Sequence, residues 1–523
     1  MITRPKLIHL VCIDAMRFDC MNWHPDRRFL RALGQFERLD TPNLDRLSAG
    51  CVKFTRCLSP AGYTALSVPS TLTGTYACTH GIVDFSSTCL RPGVETVCSI
   101  FKAAGYRVIT HLAKGGLVSE LGLFDEADAI AASDKELLSL LTLQTDDRPT
   151  LVYSHLNDLH APYMWLEDGT PEDKAAGYDL YLRLMYNARR ADVSENPPAQ
   201  FVRPDDKRLS LYELRDLVVG KSEEALLGQL QRQVGAYYCG CEKFDRLRLG
   251  PLLEGLSRID AWRDGLLLVY ADHGEAQRPF AKWSIDHGAT AEENLVRTPL
   301  MIRAPGLAPR LVTDLVGLID LFPTVVELAG QQRVRDDLPY SIDGHSLVPV
   351  LRGDGHGIPC YWIEGWNFTG TDLEHPPCVK CRALRYADGR KYTLFGDVIR
   401  PDEYAGLDDD AFVHYVAEHT YGTLPTEWFR KRLGQMLYAH TREVVIAMLQ
   451  KEVRQFRVCD DVDRDLLEER TQVLDERSPR WAEFSAELER MLELTATPNL
   501  RERDGEDGAE QLDGRLRALG YIA

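Results

Sequence analysis

Side chains that could bind a metal or move a proton follow three apolar segments of this 523-residue chain. They are Asp14 after residues 7–13, Asp158 and His160 after residues 151–156, and Asp272 and His273 after residues 266–271. Apolar segments this short are typical of buried parallel strands. Ligands of open α/β sheets bind at the carboxyl ends of such strands. The pattern therefore predicts one metal-centred site assembled from distant parts of the chain.

The segments between these residues alternate between helix and strand patterns. A helix is predicted to begin near Pro42, and a second over residues 96–104, with a strand following over residues 106–112. The stretch 315–330 predicts the end of a strand and then a helix that carries Pro323 in its first turn. Such alternation predicts an α/β fold, an α/β/α sandwich around a mostly parallel central sheet.

The length of the chain predicts more than one domain. We expect a catalytic domain over residues 1–355 and a smaller C-terminal α+β region over residues 356–523. A segment at about 165–250, rich in Arg, Asp, Glu and Leu at helical spacing, predicts a helical insertion in the first domain. In the second, the turn Tyr386-Ala-Asp-Gly-Arg predicts a hairpin of a small antiparallel sheet. Residues 408–495 predict mostly charged helices, followed by an acidic tail.

The composition of the chain indicates its cellular compartment and excludes some classes of binding partner. A formal net charge of -18 argues against nucleic acid, which requires clustered Lys and Arg. The chain has no apolar run of about 18 residues, and its apolar start lacks a signal-peptide cleavage pattern, so we expect no membrane contact. The 13 cysteines are scattered, and the Cys378/Cys381 pair has no second pair with which to bind zinc. We therefore expect reduced thiols and a cytoplasmic protein.

A series of short motifs runs along roughly the first 355 residues. In order, they are Thr41 to Phe54 (TPNLDRLSAGCVKF), Leu72-Thr-Gly, His80-Gly-Ile, Asp272-His-Gly-Glu, His287-Gly, Arg297-Thr-Pro-Leu, Asp320-Leu-Phe-Pro-Thr and Asp343-Gly-His-Ser-Leu. Together, in this order and spacing, they resemble the sulfatase branch of the alkaline phosphatase superfamily. The resemblance implies an alkaline-phosphatase-like fold that hydrolyses sulfate, phosphate or phosphonate esters.

The nucleophile position departs from the usual pattern of that family. Formylglycine sulfatases carry Cys or Ser followed by x-Pro-x-Arg, and counting back from Leu72 without a gap places Thr64 there. Leu66 and Val68 then replace the Pro and the Arg. A rival register places Ser67 at this position, but it needs a deletion and still lacks the Arg. We predict an unmodified Thr64 nucleophile, whose alkoxide a divalent cation would stabilise.

The resemblance also implies the residues around this nucleophile. The implied ligands of a divalent cation (Mn, Ca, Mg or Zn) are Asp14, Thr64, Asp272 and His273. The implied catalytic residues besides Thr64 are Lys114, His160 and His287, which would neutralise the transferred group and protonate the leaving group. Asp158, His160 and His287 could bind a second cation. One cation is favoured, because Asp158 and His160 are two residues apart rather than the four of two-metal diesterases.

These observations predict a metal-dependent hydrolase of phosphate or phosphonate (di)esters or of sulfate esters. The missing formylglycine motif favours phosphorus over sulfur. Three alternatives stay open: a phospho-alcohol transferase of the same fold, a formylglycine-independent sulfatase, and a catalytically inactive binding protein. The expected partner is a small anionic ester, and the formation of a homo-oligomer is left open.

Overall fold

The computed structural model describes the parts of the chain that carry both predicted sheets. These are residues 5–28, 37–82, 90–112, 117–143, 147–160, 237–275, 287–288, 290–332, 338–366, 380–395, 406–408, 411, 455–464, 470–474 and 477–495. Most of the predicted insertion at 165–250 lies outside them. Its described end is helical over residues 237–244 and continues through a π-helix (Asp245–Leu249).

An eight-stranded sheet forms the centre of the molecule. Its strands are β1 (Leu7–Ile13), β2 (Val52–Leu58), β3 (Arg107–Leu112), β4 (Ala129–Ala131), β5 (Thr150–Leu156), β6 (Leu266–Tyr270), β7 (Arg297–Arg303) and β8 (Arg310–Gly317). They lie in the order β4-β3-β5-β1-β6-β7-β2-β8. Only β7 runs antiparallel to its neighbours, β6 and β2. The predicted α/β fold with a mostly parallel sheet is confirmed.

Helices cover both faces of this sheet. Besides the helical residues 237–244, the described α-helices of the chain are α1 (Pro42–Ala49), α2 (Thr64–Thr73), α3 (Ala77–His80), α4 (Val97–Ala103), α5 (Asp134–Thr142), α6 (Gly250–Arg258), α7 (Glu293–Val296), α8 (Leu321–Leu328), α9 (Val348–Arg352) and α10 (Pro479–Thr495), of which α10 packs with residues of the second sheet described below. Because side chains alternate along a strand, β1 points Leu10 and Cys12 into one buried cluster and Val11 and Ile13 into another. Every residue of β1 and β5 is therefore buried, which is why both read as continuous apolar runs.

A second sheet of five antiparallel strands follows in the chain. Its strands are β9 (Cys360–Trp366), β10 (Lys380–Tyr386), β11 (Lys391–Phe395), β12 (Gln455–Cys459) and β13 (Gln472–Leu474). The predicted hairpin at Tyr386 joins β10 to β11. The mostly helical pattern predicted over 408–495 is wrong at β12 and β13. There, buried Phe456 and Val458 alternate with polar residues inside a charged stretch, a signal too short to stand out from the sequence.

None of the described helices combines the length and the apolar character needed to cross a membrane. Eleven cysteines of the described ranges are free thiols, and most of them are buried. Cys378 lies outside these ranges, whereas Cys381 is buried in β10. The cytoplasmic location and the domain boundary near residue 355 remain predictions.

Candidate active site

The ends of β1 and β6 bring two predicted ligand positions together. The two strands are parallel neighbours, with Cys12 opposite Tyr270. Asp14 and Asp272 therefore follow at the same edge of the sheet, and both are buried. The backbone N–H of Ala15 donates to Asp272 Oδ1 at 3.3 Å, which ties the two strand ends to each other. The predicted clustering at the carboxyl ends of the strands is present.

The chain turns sharply directly after Asp14. Ala15 has a φ of 56°, a left-handed conformation that is rare for a residue with a side chain. The Tyr237 hydroxyl donates to the carbonyl of Ala15 at 2.7 Å and accepts from the N–H of Arg17 at 2.9 Å. Buried Arg17 in turn binds both oxygens of Asp19, at 3.0 and 3.1 Å. These contacts hold the turn that presents the Asp14 carboxylate.

Thr64 is the first residue of α2, whose N-terminus points at the same place. Its Oγ1 lies 3.1 Å from His273 Nε2 and 3.5 Å from Asp14 Oδ1. Tyr63, the residue before the helix, is extended (φ -160°, ψ 155°), so the chain enters the helix at Thr64 itself. The first N–H groups of a helix have no partner within it and favour negative charge nearby. The position suits a hydroxyl that must become an oxyanion beside an anionic substrate.

His273 has its ring oriented by the backbone. Its Nδ1 donates to the carbonyl of Gly274 at 2.8 Å, so Nε2 of the neutral ring carries a lone pair rather than a proton. This lone pair faces Asp14 Oδ1 at 3.4 Å and Asp272 Oδ2 at 3.6 Å. Asp272 Oδ2 is buried and has no hydrogen-bond partner in the described part of the chain.

Three side chains thus direct lone pairs, rather than hydrogen-bond donors, toward one another. The ligand atoms of Asp14, Asp272 and His273 all lie within 4.8 Å of one another, and all three residues are buried. Facing carboxylates in a buried site are costly unless a cation balances them. The donor set of oxygens and one imidazole nitrogen fits a divalent cation, with Thr64 Oγ1 as a further oxygen.

The electrostatics agree with a charged Asp14 and a neutral His273. Burial is the main cause that lowers the pKa of His273. Burial by itself would raise the pKa of Asp14. The hydrogen bond from His155 is the largest of the contributions that outweigh burial and hold the pKa of Asp14 well below its ordinary value. Both residues are therefore in the forms that bind a metal.

Ser67, the nucleophile of the rival register, lies elsewhere. It is one helical turn beyond Thr64, and its hydroxyl donates to the backbone carbonyl of Asp272 at 2.6 Å. The Ser59 hydroxyl donates to the same Ser67 oxygen at 2.9 Å. Ser67 therefore fastens α2 to the end of β6, whereas Thr64 is the helix residue that contacts the Asp14 and His273 side chains.

Two of the three predicted catalytic residues come together beside the cluster. The ring centroids of His160 and His287 are 4.6 Å apart, and those of His273 and His287 are 4.4 Å apart. His287 Nδ1 lies 3.5 Å from Oε2 of buried Glu275. Lys114 lies outside the described residues, so the structure does not place it. The two placed imidazoles therefore lie next to each other, with His287 beside His273, and their catalytic roles remain predictions.

Asp158, a candidate ligand for a second cation, has an arginine beside it. Arg248 Nε lies 3.6 Å from Asp158 Oδ2, and Arg248 Nη1 lies 3.1 Å from Asp134 Oδ2. Arg248 comes from the π-helix, a rare conformation that is found most often at functional sites. A guanidinium next to Asp158 supplies the positive charge that a second metal would bring, which favours a single cation.

The later motifs of the series support α2, the helix that begins at Thr64. The N–H groups of Asp343 and Gly344 both donate to the carbonyl of Gly74, the residue that ends α2 with a φ of 69°. Asp320 accepts from the N–H groups of Gly317 and His345 at 2.9 and 2.8 Å. The distant motifs therefore meet because they form one support for the C-terminal end of α2.

A histidine that contacts Asp14 was missed from the sequence. His155, in β5, has its Nε2 3.3 Å from Asp14 Oδ2, and the Tyr153 hydroxyl is 3.1 Å from its Nδ1. The available signal was a histidine inside the apolar segment 151–156, on the face that also carries Tyr153.

Comparison with models of known families identifies the family of this chain. The model of the Sulfatase family matches residues 6–331, more than half of the chain. The chain therefore belongs to the Sulfatase family, within the alkaline phosphatase superfamily. The resemblance inferred from the motifs is confirmed at that level, while the role of Thr64 and the need for a metal remain predictions.

Individual relatives match a shorter part of the chain than the family model does. Arylsulfatase K of Xenopus laevis is 33% identical over 119 residues, which cover 22% of this chain and 20% of that protein. Choline-sulfatase of Rhizobium meliloti (strain 1021) is 32% identical over 124 residues, 24% of this chain and 23% of that protein. The matches thus span only about a fifth of the length of these relatives.

Solved structures match over most of the chain. A 2-O GAG sulfatase superimposes with a TM-score of 0.54 at 14% identity, covering 96% of this chain and 98% of that one. A phosphonate monoester hydrolase of Agrobacterium radiobacter has a TM-score of 0.50 at 16% identity, covering 86% of this chain and 96% of that one. At such low identity these likenesses show the fold alone.

Proposed function

We propose that the protein is a metal-dependent hydrolase of phosphate, phosphonate or sulfate esters in which Thr64 is the nucleophile. The observation that carries this proposal is the position of Thr64 Oγ1, 3.1 Å from His273 Nε2 and 3.5 Å from Asp14 Oδ1. A threonine hydroxyl is a weak nucleophile unless a base or a metal activates it. A cation held by Asp14, Asp272 and His273 would supply that activation and polarise the ester.

The side chains of the site suit an in-line displacement in two steps. The Thr64 proton has acceptors within reach at Asp14 Oδ1 and His273 Nε2. Attack by Oγ1 on phosphorus or sulfur breaks the bond to the alcohol, whose oxygen takes a proton from His160 or His287. Water then attacks the Thr64 ester, which restores the hydroxyl and releases the transferred group as sulfate, phosphate, a phosphate monoester or a phosphonate, depending on the substrate. The N-terminus of α2 would stabilise the negative oxygens in both steps.

Two observations bear on the choice between phosphorus and sulfur. The curated relatives are named as sulfatases, which supports a sulfate ester. Formylglycine sulfatases rely on a modified Cys or Ser, and this chain has Thr64 in that place, which supports a phosphate or phosphonate ester. The two readings make opposite predictions for aryl sulfates and can be separated by activity.

The test is a metal-reconstituted activity screen. Protein stripped of metal is loaded separately with Mn²⁺, Mg²⁺, Ca²⁺ or Zn²⁺ and assayed on p-nitrophenyl phosphate, bis-p-nitrophenyl phosphate, a phenylphosphonate monoester and p-nitrophenyl sulfate. Thr64→Ala should lower kcat by roughly 10³-fold or more, as expected for a lost nucleophile. Thr64→Ser should retain part of the rate, because the hydroxyl is kept.

The matched control is Ser67→Ala, which removes a buried hydroxyl from the same helix. We expect Ser67→Ala to keep kcat within a few-fold of the wild type. Full activity in Thr64→Ala together with loss in Ser67→Ala would establish the rival register instead. Intact-mass analysis provides a second check, because conversion of Ser67 to formylglycine would remove two hydrogens from the chain.

A further inference from the structure

His155 contacts the carboxylate oxygen of Asp14 that does not face Thr64 and His273. Asp14 Oδ1 faces Thr64 Oγ1 and His273 Nε2, whereas Asp14 Oδ2 faces His155 Nε2 at 3.3 Å. The two carboxylate oxygens of Asp14 therefore have separate partners. His155 is buried, with 5% of its surface exposed, so solvent competes little for this contact.

Tyr153 determines how the His155 ring is protonated. Its fully buried hydroxyl lies 3.1 Å from His155 Nδ1. A phenol at this distance from a neutral imidazole donates to the nitrogen without a proton, so the proton of the ring is placed on Nε2. The Nε2–H group then donates to Asp14 Oδ2. Tyr153, His155 and Asp14 thus form a continuous series of hydrogen-bond contacts, from the Tyr153 hydroxyl through the imidazole to Asp14 Oδ2.

We propose that His155 is a positioning residue for the cation site: it holds Asp14 by Oδ2 and so keeps Oδ1 turned toward His273 and Thr64. The proposal rests on the proposed function in requiring a cation at Asp14. Groups that hydrogen-bond to metal ligands fix ligand orientation, and their loss commonly weakens metal affinity or activity by about 10–100-fold. His155 would also restrict Asp14 to binding through one oxygen.

The strand geometry explains why only this residue of β5 can act in this way. His155 pairs with Cys12 across the β1–β5 ladder, so Asp14 follows two residues later on the same face of the sheet. Ser154, its neighbour in the strand, points to the other face, where its hydroxyl lies 2.8 Å from His9 Nε2. His9 is equally buried but does not contact Asp14, which makes it a matched control.

The test measures Mn²⁺ binding to metal-free protein by calorimetry, without any substrate. His155→Leu should weaken Mn²⁺ binding by about 10–100-fold. His155→Gln, whose side-chain amide can still donate to Asp14, should recover most of the affinity. His9→Leu should change stability but keep the Mn²⁺ affinity within about two-fold, because it removes a buried imidazole from the opposite face.

The outcomes separate the alternatives. Unchanged affinity in His155→Leu, or an equal loss in His9→Leu, overturns the proposal, as does a wild-type protein that binds no divalent cation. Cys12, His155 and Asp272 also lie close enough to share a metal. If His155 were itself a ligand, Cys12→Ala would weaken binding and His155→Gln would not rescue it, and this result too would overturn the proposal.

A variant that fails to fold does not end the test. Tyr153→Phe leaves the imidazole in place and removes only the hydroxyl that fixes its proton, so it should weaken Mn²⁺ binding less than His155→Leu does. Normal affinity in both Tyr153→Phe and His155→Gln, with His155→Leu unfolded, would overturn the proposal. Because calorimetry needs no turnover, a protein that binds Mn²⁺ and hydrolyses no ester refutes the proposed function alone.

Discussion

Replacement of Gly274 by alanine tests how the end of β6 presents His273. Gly274 is not among the described glycines with a positive φ, so backbone conformation does not explain a glycine at this position. The glycine is required because a Cβ there would lie 2.1 Å from the carbonyl oxygen of Asn294, whereas ordinary contact begins at 3.4 Å. The obstacle is backbone, which cannot rotate away.

The magnitude follows from this overlap. Relief of the clash requires the segment after β6 to move by about 1 Å away from α7, and overpacking of this kind costs about 1–3 kcal/mol of stability. The hydrogen bond from the Gly274 N–H to the carbonyl of Leu295, at 2.6 Å, would lengthen with the shift. His273 precedes the moved residue directly. A displacement of about 1 Å at a reacting group can lower the rate by about 100-fold.

The assay combines urea unfolding with kcat/KM for the best ester of the screen. Gly274→Ala should lose about 1–3 kcal/mol and about 100-fold in kcat/KM. Gly406→Ala is the matched control, because a Cβ at Gly406 meets nothing within 4 Å. If Gly274→Ala were as stable and active as Gly406→Ala, the close packing of β6 on α7 would not position His273, and the reasoning would fail.

Three further predictions concern stability. Arg17→Met should cost about 3–5 kcal/mol in urea unfolding, because it leaves buried Asp19 without its cation; a loss below about 1 kcal/mol would contradict this. Burial lowers the pKa of both His9 and His80 to about 3. Only the unfolded chain then binds these protons between pH 6.5 and 3, so stability is complete above pH 6.5 and falls with acidification, by about 1.4 kcal/mol per pH unit for each histidine. A flat unfolding free energy between pH 7 and 5 would refute this assignment. Removal of metal by EDTA should lower the melting temperature, because metal at 100 times its Kd adds about 2.7 kcal/mol.

Much of the fold could be predicted because its central strands are buried on both faces. β1, β5 and β6 read as mostly apolar runs, and each is followed by a polar residue of the site. The edge strand of the second sheet was harder to predict. β13 is three residues long with mostly exposed side chains, so it has almost no apolar pattern from which to predict it.

Only residues that belong to a motif or follow the end of a strand could be predicted as part of the site. This holds for four residues that the structure brings together: Asp14, Thr64, Asp272 and His273. His155 belongs to no motif and lies inside a strand, and its contact with Asp14 depends on which strands are neighbours. The β1–β5 pairing joins residues more than 140 positions apart, a separation that no local pattern encodes. Arg248 could not be predicted as a site residue either, because a charged helix residue usually faces solvent.

The unpartnered oxygen of Asp272 allows an argument against an inactive binding protein. A buried carboxylate oxygen without a hydrogen bond destabilises the metal-free fold by about 1–3 kcal/mol. Asp272→Asn would keep Oδ1 for the N–H groups of Ala15 and His273, and its new amide could donate to His273 Nε2, 3.6 Å away. We expect Asp272→Asn to raise the urea midpoint of metal-free protein while weakening Mn²⁺ binding by at least about ten-fold. If both results are obtained, Asp272 costs the metal-free fold stability and serves the cation site, which argues against a protein that binds no metal. Lower stability of metal-free Asp272→Asn would remove this argument, because the carboxylate would then contribute to the fold by itself.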